Sequence, residues 1–424
     1  MSKGKQICEW TKNLLIVALL CSAAWLLVDS QMFGRLPWRL EPRQSGTGQQ
    51  APAPTTGQVT LPMAVAVLND SGVCAARYDA AAVDELFQPL LPVLGEALAG
   101  AGQPQQEEAD AWLAALSGHS GAWFELQGNV PMQVLCRWLA GTDNPYLTGN
   151  ARQILLCVRD EQVFLCYRCD EQYQSCAVEG MSAEYLRGVL AQKATNGADF
   201  AHGRSEYETL APQTLILPQE PSPEEYVAIN PLAEGQDMNS LLQGLAFAPG
   251  ITTVYQTPEG YRARSGNDTL TVSDAGRIGY EREGDEQRYP LAGNEEDPAV
   301  YRAVETARQI VCGATQTWGG TAVYLRDVRQ EADGWHVEFG YVLNATAVQL
   351  DEPGWCAEVV LDHEGVVRYQ MILRGYQPAG KTTLLLPQPQ AAAVLEQMGQ
   401  TGSGLLLNYL DGGDSARAAW IADR

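Results

Sequence analysis

Four cysteines within a stretch of 20 residues are the densest group of potential metal ligands or redox residues in the sequence. Cys166 and Cys169 have the Cys-x2-Cys spacing of half a zinc site, but Cys157 and Cys176 form no second close pair. In the hairpin predicted for residues 152–169, Cys166 and Cys169 point to opposite faces, which is poor geometry for one metal. The pattern favours small core residues or a local disulfide, and we predict no metal site and no cofactor.

The four histidines are not arranged for catalysis either. His119, His202, His336 and His363 include no i, i+4 pair, and none lies near a Ser or Cys in a nucleophile turn. His363 falls in a turn at residues 362–365 and is predicted to be a solvated loop residue. Carboxylates are so abundant that chance acid pairs are expected. We therefore predict that the protein is not an enzyme.

An apolar segment near the N-terminus has no charge between Lys12 and Asp29, a run of 16 residues. As a helix this run spans about 24 Å, slightly less than a hydrocarbon core of about 30 Å. Trp10 and Trp25 can lie at interfacial depth, so a slightly short helix is tolerable. The segment predicts a transmembrane helix over residues 13–30.

A cleaved signal peptide is the alternative, since its apolar region is typically about 7–15 residues long. Small residues at positions 22–24 offer cleavage-like spacing, but the apolar run continues through Val28, so a cut would fall inside it. A retained anchor is therefore favoured. Residues 1–12 contain three lysines, which by the positive-inside rule predicts a cytoplasmic N-terminus and an extracytoplasmic body.

One face of the predicted helix is made of small residues. Ala18 and Ser22 are spaced i, i+4, and Cys21 and Ala24 border them. Small residues allow two helices to approach closely in lipid, where van der Waals contact drives association. They are also common in transmembrane helices that pack against nothing. We name Ala18, Cys21, Ser22 and Ala24 as candidate partner contacts.

Charge excludes several functions for the body. The formal net charge is −23, and residues 1–43 hold six basic and three acidic residues, which leaves −26 on the remainder. So acidic a body is unsuited to nucleic acid, anionic lipid or anionic wall polymer. It suits a protein that stands away from the membrane and meets its partners by shape.

The body is predicted to begin after a spacer at residues 31–60, which contains `GTGQQAPAPTTGQ`. An N-terminal α+β domain follows at 61–215. Its helices are `DELFQPLLPVLGEALAGA`, bent or broken by its prolines, `EADAWLAALSGH`, and `PMQVLCRWLAG`, which ends at Gly141. A hairpin over 152–169 turns at Asp160-Glu161.

A central module at 216–292 begins with an extended crossing, `LPQEPSPEEYVAINPLAEG`, which has four prolines. A helix capped by Asp237 and a run of strands parted by Gly turns follow. The C-terminal module at 293–424 repeats this plan. Its helix starts at Asp297-Pro298 and is predicted to end at Gly313, and strands, a helix `QPQAAAVLEQMGQ` and a tail without strong signals follow.

The segments `TLTVSDAGRIGYE` and `AEVVLDHEGVVRYQ` match in form, which indicates a weak internal repeat. We therefore predict an α+β protein: an N-terminal transmembrane helix, then an extracytoplasmic body of antiparallel sheets packed with helices, with its last two modules similar to each other.

This layout resembles the YycH/YycI regulators, membrane proteins associated with the WalK sensor histidine kinase of Gram-positive bacteria. The resemblance rests on the basic N-terminus with `KNLLIVALLCSAAWLLVD`, on the helix-plus-strand unit at residues 229–281, and on `VYLRDVRQEADGWHVEFGYVLNATAVQL` and `EVVLDHEGVVRYQ`. Two modules behind an extra N-terminal domain are more similar to YycH than to the smaller YycI.

The resemblance implies a non-enzymatic, single-pass regulator in a two-component system that governs cell-wall metabolism. It implies two partners, a WalK-like sensor histidine kinase and a YycI-like sister regulator. The residues alone leave two other functions open, a membrane-anchored binding module for a cell-wall fragment or peptide and an exported enzyme.

Overall fold

The computed structural model describes residues 62–423, except 119, 170, 235–237, 249, 285–286, 317–320 and 333. The predicted cytoplasmic segment, transmembrane helix and spacer, residues 1–60, lie outside this range, together with the candidate contacts Ala18, Cys21, Ser22 and Ala24. Among the described residues, no helix has both the length and the apolar character needed to cross a membrane.

The first sheet is antiparallel and is built from the N-terminal part of the body. Its strands, in the order β2-β1-β4-β5-β6-β7-β3, are β1 (Ala64–Asn69), β2 (Gly72–Arg77), β3 (Gln105–Glu107), β4 (Gly121–Pro131), β5 (Asn150–Arg159), β6 (Gln162–Cys169) and β7 (Gln172–Ser182). The predicted hairpin is confirmed: β5 and β6 pair and turn at Asp160 and Glu161, both with positive φ.

Helices cover both faces of this sheet. They are α1 (Ala80–Phe87), α2 (Leu91–Gly100), α3 (Ala109–Leu116), α4 (Met132–Leu135, continued by a π turn at Cys136–Ala140) and α5 (Ala183–Leu190). Phe124 and Ile154 share one core with Leu98 of α2, whereas Trp123 shares another with Trp112 of α3. This division follows the period-2 alternation of the strands.

The prolines act on the helices largely as the sequence predicts. The segment around Pro89 is broken, since α1 ends at Phe87 and α2 begins at Leu91 with Pro92 in its first turn. Gly141 ends the α4 segment in the left-handed conformation at φ +67°. Pro131 is the last residue of β4 rather than the first helical residue.

The second sheet combines the central and C-terminal parts of the chain. Its strands are β10 (Glu224–Ile229), β11 (Thr253–Thr257), β12 (Gly260–Ser265), β13 (Asp268–Ser273), β14 (Arg277–Glu281), β15 (Ala322–Glu331), β16 (Gly334–Leu343), β17 (Thr346–Leu350), β18 (Ala357–Leu361), β19 (Val366–Ile372), β20 (Gly375–Thr382), β21 (Gly404–Asp411) and β22 (Ser415–Asp423). The order is β11-β12-β13-β14-β19-β18-β16-β17-β21-β22-β10-β20, with β15 on β16. Two short strands, β8 (Asp199–Phe200) and β9 (Leu215–Ile216), pair separately.

The central and C-terminal parts join within this sheet, because β14 pairs with β19 over five residues. Tyr280 and Tyr369 are opposite each other in that register and stack at 5.1 Å between ring centroids. The division of the body at residues 216 and 293 and the similarity of the last two modules remain proposals.

Two segments to which the sequence assigns no strand contain strands. The crossing at residues 217–235 contains β10, which pairs with β20 and β22. The tail predicted after the last helix is the β21–β22 hairpin, and β21 runs parallel to β17. Ladder hydrogen bonds to distant strands stabilise β10, whereas β21 and β22 pair mainly with each other.

The remaining helices are α6 (Met238–Gly244), α7 (Ala299–Gln316) and α8 (Gln388–Gln397). The prediction that Gly313 ends α7 is wrong, because the helix continues three residues further. Gly313 lies instead where α7 crosses α6: a Cβ there would come within 2.3 Å of the Gly244 carbonyl oxygen. The glycine serves close helix packing rather than helix termination.

Candidate protein-interaction surface

The β11 strand forms an edge of the second sheet, because in the described part of the chain it pairs with β12 alone. Its sequence, `TVYQT`, is uncharged and rich in β-branched and aromatic residues. Val254 is 40% and Tyr255 43% exposed, and the preceding Ile251 is 77% exposed. An exposed, uncharged edge of this kind can pair with a strand of another chain.

The opposite edge of the same sheet is protected differently. Strand β20 contains Pro378, which has no N–H to donate, and Lys381, which is exposed. A third strand with a free side, β15, is approached by β4: a Cβ on Gly128 would lie 2.2 Å from the Arg326 carbonyl oxygen. Proteins normally blunt their edges in these ways, and β11 has neither protection.

The solvent side of the β11–β14 hairpins and β19 forms a shallow groove of about 660 Å³. We call this side the hairpin face and define it by Tyr255, Arg262, Thr271, Arg277 and Gln370. Four of these residues lie in one row across the strands. Tyr255 is opposite Arg262, and Arg262 is opposite Thr271. Gly279 is opposite Thr271 on one side and Gln370 on the other. Of this row, Arg262, Thr271 and Gln370 line the groove.

The hairpin face differs in charge from the rest of the chain. Arg262 and Arg277 are exposed and have no carboxylate partner among the described residues. The groove also contains Trp355, which is half-buried. In a chain of net charge −23, two unpaired arginines beside an uncharged edge favour an acidic partner surface.

Buried side chains on the opposite side of the hairpins hold the face in place. Tyr280 donates to Asp268 at 3.0 Å, and Arg288 donates to the same carboxylate at 2.6 Å. Tyr289 donates to the Leu245 carbonyl oxygen at 2.6 Å and packs edge-on to Tyr280. Burial raises the pKa values of Tyr280 and Tyr289, so both hydroxyls remain donors.

A turn between β18 and β19 is fixed by one carboxylate. Asp362 accepts hydrogen bonds from Arg282 at 2.5 Å and from the backbone N–H groups of Glu364 and Gly365 at 2.8 and 2.9 Å. Burial alone would raise the Asp362 pKa, but these hydrogen bonds outweigh it and lower that pKa. The side chain of His363 in this turn is 89% exposed, which confirms its prediction as a solvated residue.

The cysteine cluster is part of the core of the first sheet. Cys157, Cys166 and Cys176 are buried, which confirms their interpretation as small core residues, and Cys169 is half-buried. Cys166 and Cys176 belong to the cores on opposite faces. The sulfurs of Cys157 and Cys166 are 3.9 Å apart and not bonded to each other.

The other candidate ligands are also dispersed. Within the described ranges, no group of three or more His, Cys, Asp or Glu side chains is placed to hold a metal ion. His336 lies between Glu331 and Glu358 at 3.3 and 3.6 Å on the second sheet, while His202 is exposed in a loop. His119 lies outside the described residues.

Sequence reasoning missed the hairpin face as a functional surface. It predicts the hairpins and their turns, but the exposure of β11 depends on which strands pair beyond the hairpins. One feature of the sequence could have indicated this surface. The β11 segment is uncharged and has neither Pro nor Lys, and the next strand contains Arg262 and Arg264.

The described residues define an α+β body with two large sheets and one two-stranded sheet, mainly antiparallel pairing and helices packed on the sheets. No family model matches the sequence, and no curated protein matches it. The fold is similar to a solved structure, that of YycH from Bacillus subtilis, with a TM-score of 0.56 and 9% sequence identity. The similarity covers 89% of this chain and 96% of that chain. The chain thus has a YycH-like fold, which confirms the resemblance at the level of fold.

Proposed function

We propose that the chain is a membrane-anchored extracytoplasmic regulator of a WalK-like sensor histidine kinase and that it acts by protein–protein contact. The observation that carries this proposal is the YycH-like fold, which extends over 89% of the chain. The resemblance to the YycH/YycI family implies the two-component system, its role in cell-wall metabolism and the absence of an enzymatic step. An exposed, unprotected edge strand supports contact as the mode of action.

Two regions make the contacts in this proposal. The predicted transmembrane helix, residues 13–30, packs its Ala18/Ser22 face against a kinase helix in the membrane. The hairpin face and β11 bind a protein outside the membrane. A regulator can bias the two signalling states of a kinase only if its contacts with those states differ in free energy.

The partner proposed for β11 is the YycI-like sister regulator. Addition of a strand to an exposed edge satisfies backbone groups along the whole strand, and side chains beside the edge provide specificity. Arg262 and Arg277 then select a partner with acidic residues next to its docking strand.

The test is a charge placed on the edge. Val254→Lys puts an ammonium group on β11, which opposes strand addition and is tolerated at an exposed position. Val394→Lys on α8 is the matched control, because Val394 is 41% exposed and Val254 40%. We expect Val254→Lys to abolish co-purification of the sister regulator and to change kinase-dependent transcription, while Val394→Lys leaves both unchanged.

Equal effects of the two variants, or none from either at normal protein level, would sink the edge contact. The membrane contact needs its own experiment: residues 13–28 are exchanged for an unrelated apolar helix and kinase-dependent transcription is measured. Unchanged transcription with normal protein level would exclude a specific role of that helix.

A further inference from the structure

A row of polar side chains crosses the first sheet on one face. Arg77 on β2 and Glu125 on β4 are both opposite Ala64 of β1, Glu125 is opposite Gln153 on β5, and Gln153 is opposite Arg168 on β6. Neighbouring rows of this face hold apolar residues of the core, such as Trp123. A polar row beside these apolar rows is costly unless its groups are used.

The row is buried and partly satisfied within itself. Arg77 is 5% exposed, Glu125 3% and Gln153 3%. Arg77 donates to Glu125 at 2.7 Å, and the Gln153 amide donates to the other oxygen of that carboxylate at 3.1 Å. Arg168 is half-buried and has no carboxylate partner among the described residues. The row therefore carries one unbalanced positive charge.

The row forms a wall of a cavity of about 490 Å³. Its other walls are the loop segments at residues 211–214 and 399–404 and the end of β22. A second ion pair lies there, since Arg152 and Asp423 are 2.6 Å apart. Burial raises the pKa of Asp423, although Arg152 opposes that change. The volume is within the range of small-molecule sites.

Several polar atoms that line this cavity have no hydrogen-bond partner among the described residues. Three are guanidinium N–H donors, the Nε atoms of Arg77, Arg152 and Arg168. Gln153 Oε1 is an acceptor and Thr214 Oγ1 a hydroxyl, and the exposed fractions of these two residues are 3% and 6%. Buried polar groups in native proteins are nearly always paired, so this concentration indicates a ligand.

We infer that this cavity binds a small carboxylate that also carries hydroxyl or amide groups. A carboxylate accepts from guanidinium N–H groups in charge-assisted hydrogen bonds, and the Nε donors of Arg77, Arg152 and Arg168 are available for them. Hydroxyl or amide groups of the ligand donate to Gln153 Oε1 and exchange hydrogen bonds with Thr214. Of the three cavity carboxylates, Glu125 and Asp423 are ion-paired with arginines and Glu171 is exposed, which suits binding rather than proton transfer.

The inference does not rest on the proposed function, because no residue that lines the cavity belongs to β11 or to the hairpin face. The test uses the full chain in detergent and calorimetric titration with D-gluconate, a carboxylate with five hydroxyls. D-Sorbitol, its uncharged relative, is the control ligand. We expect saturable gluconate binding with a Kd of about 1 mM or tighter and none for sorbitol.

Arg168→Gln is the diagnostic variant because Arg168 has no carboxylate partner to leave unpaired, so the fold should survive. We expect it to weaken gluconate binding about tenfold or more. Arg262→Gln is the control variant: it removes one positive charge on the hairpin face, outside the cavity, and should leave the affinity for gluconate unchanged. The inference is overturned if wild type binds neither gluconate nor N-acetylglycine, if sorbitol binds equally well, or if the two variants bind like each other.

Discussion

At the scale of single residues, two helical glycines have opposite surroundings. A Cβ on Gly313 in α7 would meet the backbone of Gly244 at 2.3 Å, whereas one on Gly188 in α5 would have nothing within 4 Å. In the sequence, both are glycines within a helical pattern, and Gly313 is predicted to end its helix. What distinguishes them is the crossing of α6 and α7, and this tertiary contact cannot be read from the local sequence.

Gly313→Ala should therefore destabilise the protein by about 1–3 kcal/mol, because the neighbouring backbone has to move. Gly188→Ala is the matched control. It should stabilise the protein by about 0.5–1 kcal/mol, because alanine lowers the conformational entropy of the unfolded chain. Urea unfolding of both variants measures the difference. Destabilisation by Gly188→Ala, or its absence in Gly313→Ala, would contradict the helix crossing described here.

Asp362 gives a prediction about pH. Asp362→Asn should lower the free energy of unfolding by about 1 kcal/mol at neutral pH, since it weakens the hydrogen bonds from Arg282 and two N–H groups. The folded pKa is lowered, so this contribution is present above the ordinary value of 3.8 and is lost as pH falls through the folded value.

The difference in free energy of unfolding between wild type and Asp362→Asn should thus shrink below about pH 3.8. Urea unfolding at a series of pH values measures this difference. Asp351→Asn, at an exposed turn position, is the control and should have little effect at any pH. A difference that grows on acidification would contradict the lowered pKa.

At the scale of elements, β21 and β11 differ in their position in the sheet. The β21 residues Tyr409–Asp411 have neighbours on both sides, β17 and β22, whereas β11 has β12 alone. We expect slow amide hydrogen exchange in β21 and fast exchange for the outward N–H groups of β11. Mass spectrometry of the isolated chain measures both, and addition of the sister regulator should slow β11 selectively. Equal protection of the two strands without a partner would contradict an open edge.

Much of the element list follows from the sequence. The hairpin at Asp160-Glu161, the broken helix at Pro89 and the strands beyond Ile251 are set by turn residues and local periodicity, which act within a few residues. Strand β10 could not be predicted in this way, because its partners β20 and β22 lie far along the chain. The β21–β22 hairpin does carry a local signal, since Gly412 and Gly413 lie in its turn, but the parallel pairing of β21 with β17 could not be predicted.

The candidate sites were less predictable than the elements. The cavity combines Arg77, Glu125, Gln153, Arg168 and Asp423, which are widely separated in sequence and form no motif. Only the register of the sheet and the position of β22 bring them together. The hairpin face likewise could be recognised only once the pairing of its strands was known.

At the scale of the whole molecule, the two sheets are linked directly. The β4 backbone passes close to β15 at Gly128, and Arg137 is ion-paired with Asp297 just before α7. Trp138 also donates to Glu305 of α7 at 3.4 Å. These links, and the continuous sheet across residue 293, favour unfolding of the body as one unit.

We therefore expect a single calorimetric transition for the described body, rather than one for each proposed domain. Gly128→Ala places a methyl group against the Arg326 carbonyl and should lower the midpoint or split the transition. Gly412→Ala, where a Cβ would come no closer than 3.9 Å to its neighbours, is the control. Two or more transitions in the wild type would show that the proposed domains unfold independently.

The placement of the β21–β22 hairpin also governs the order in which the fold can be completed. During synthesis β10 and β17 emerge well before it, yet β22 pairs with β10 and β21 with β17. Until residues 404–423 are available, both strands keep an open side that could pair with another chain. A nascent chain of this protein therefore has a long interval in which it needs protection from aggregation.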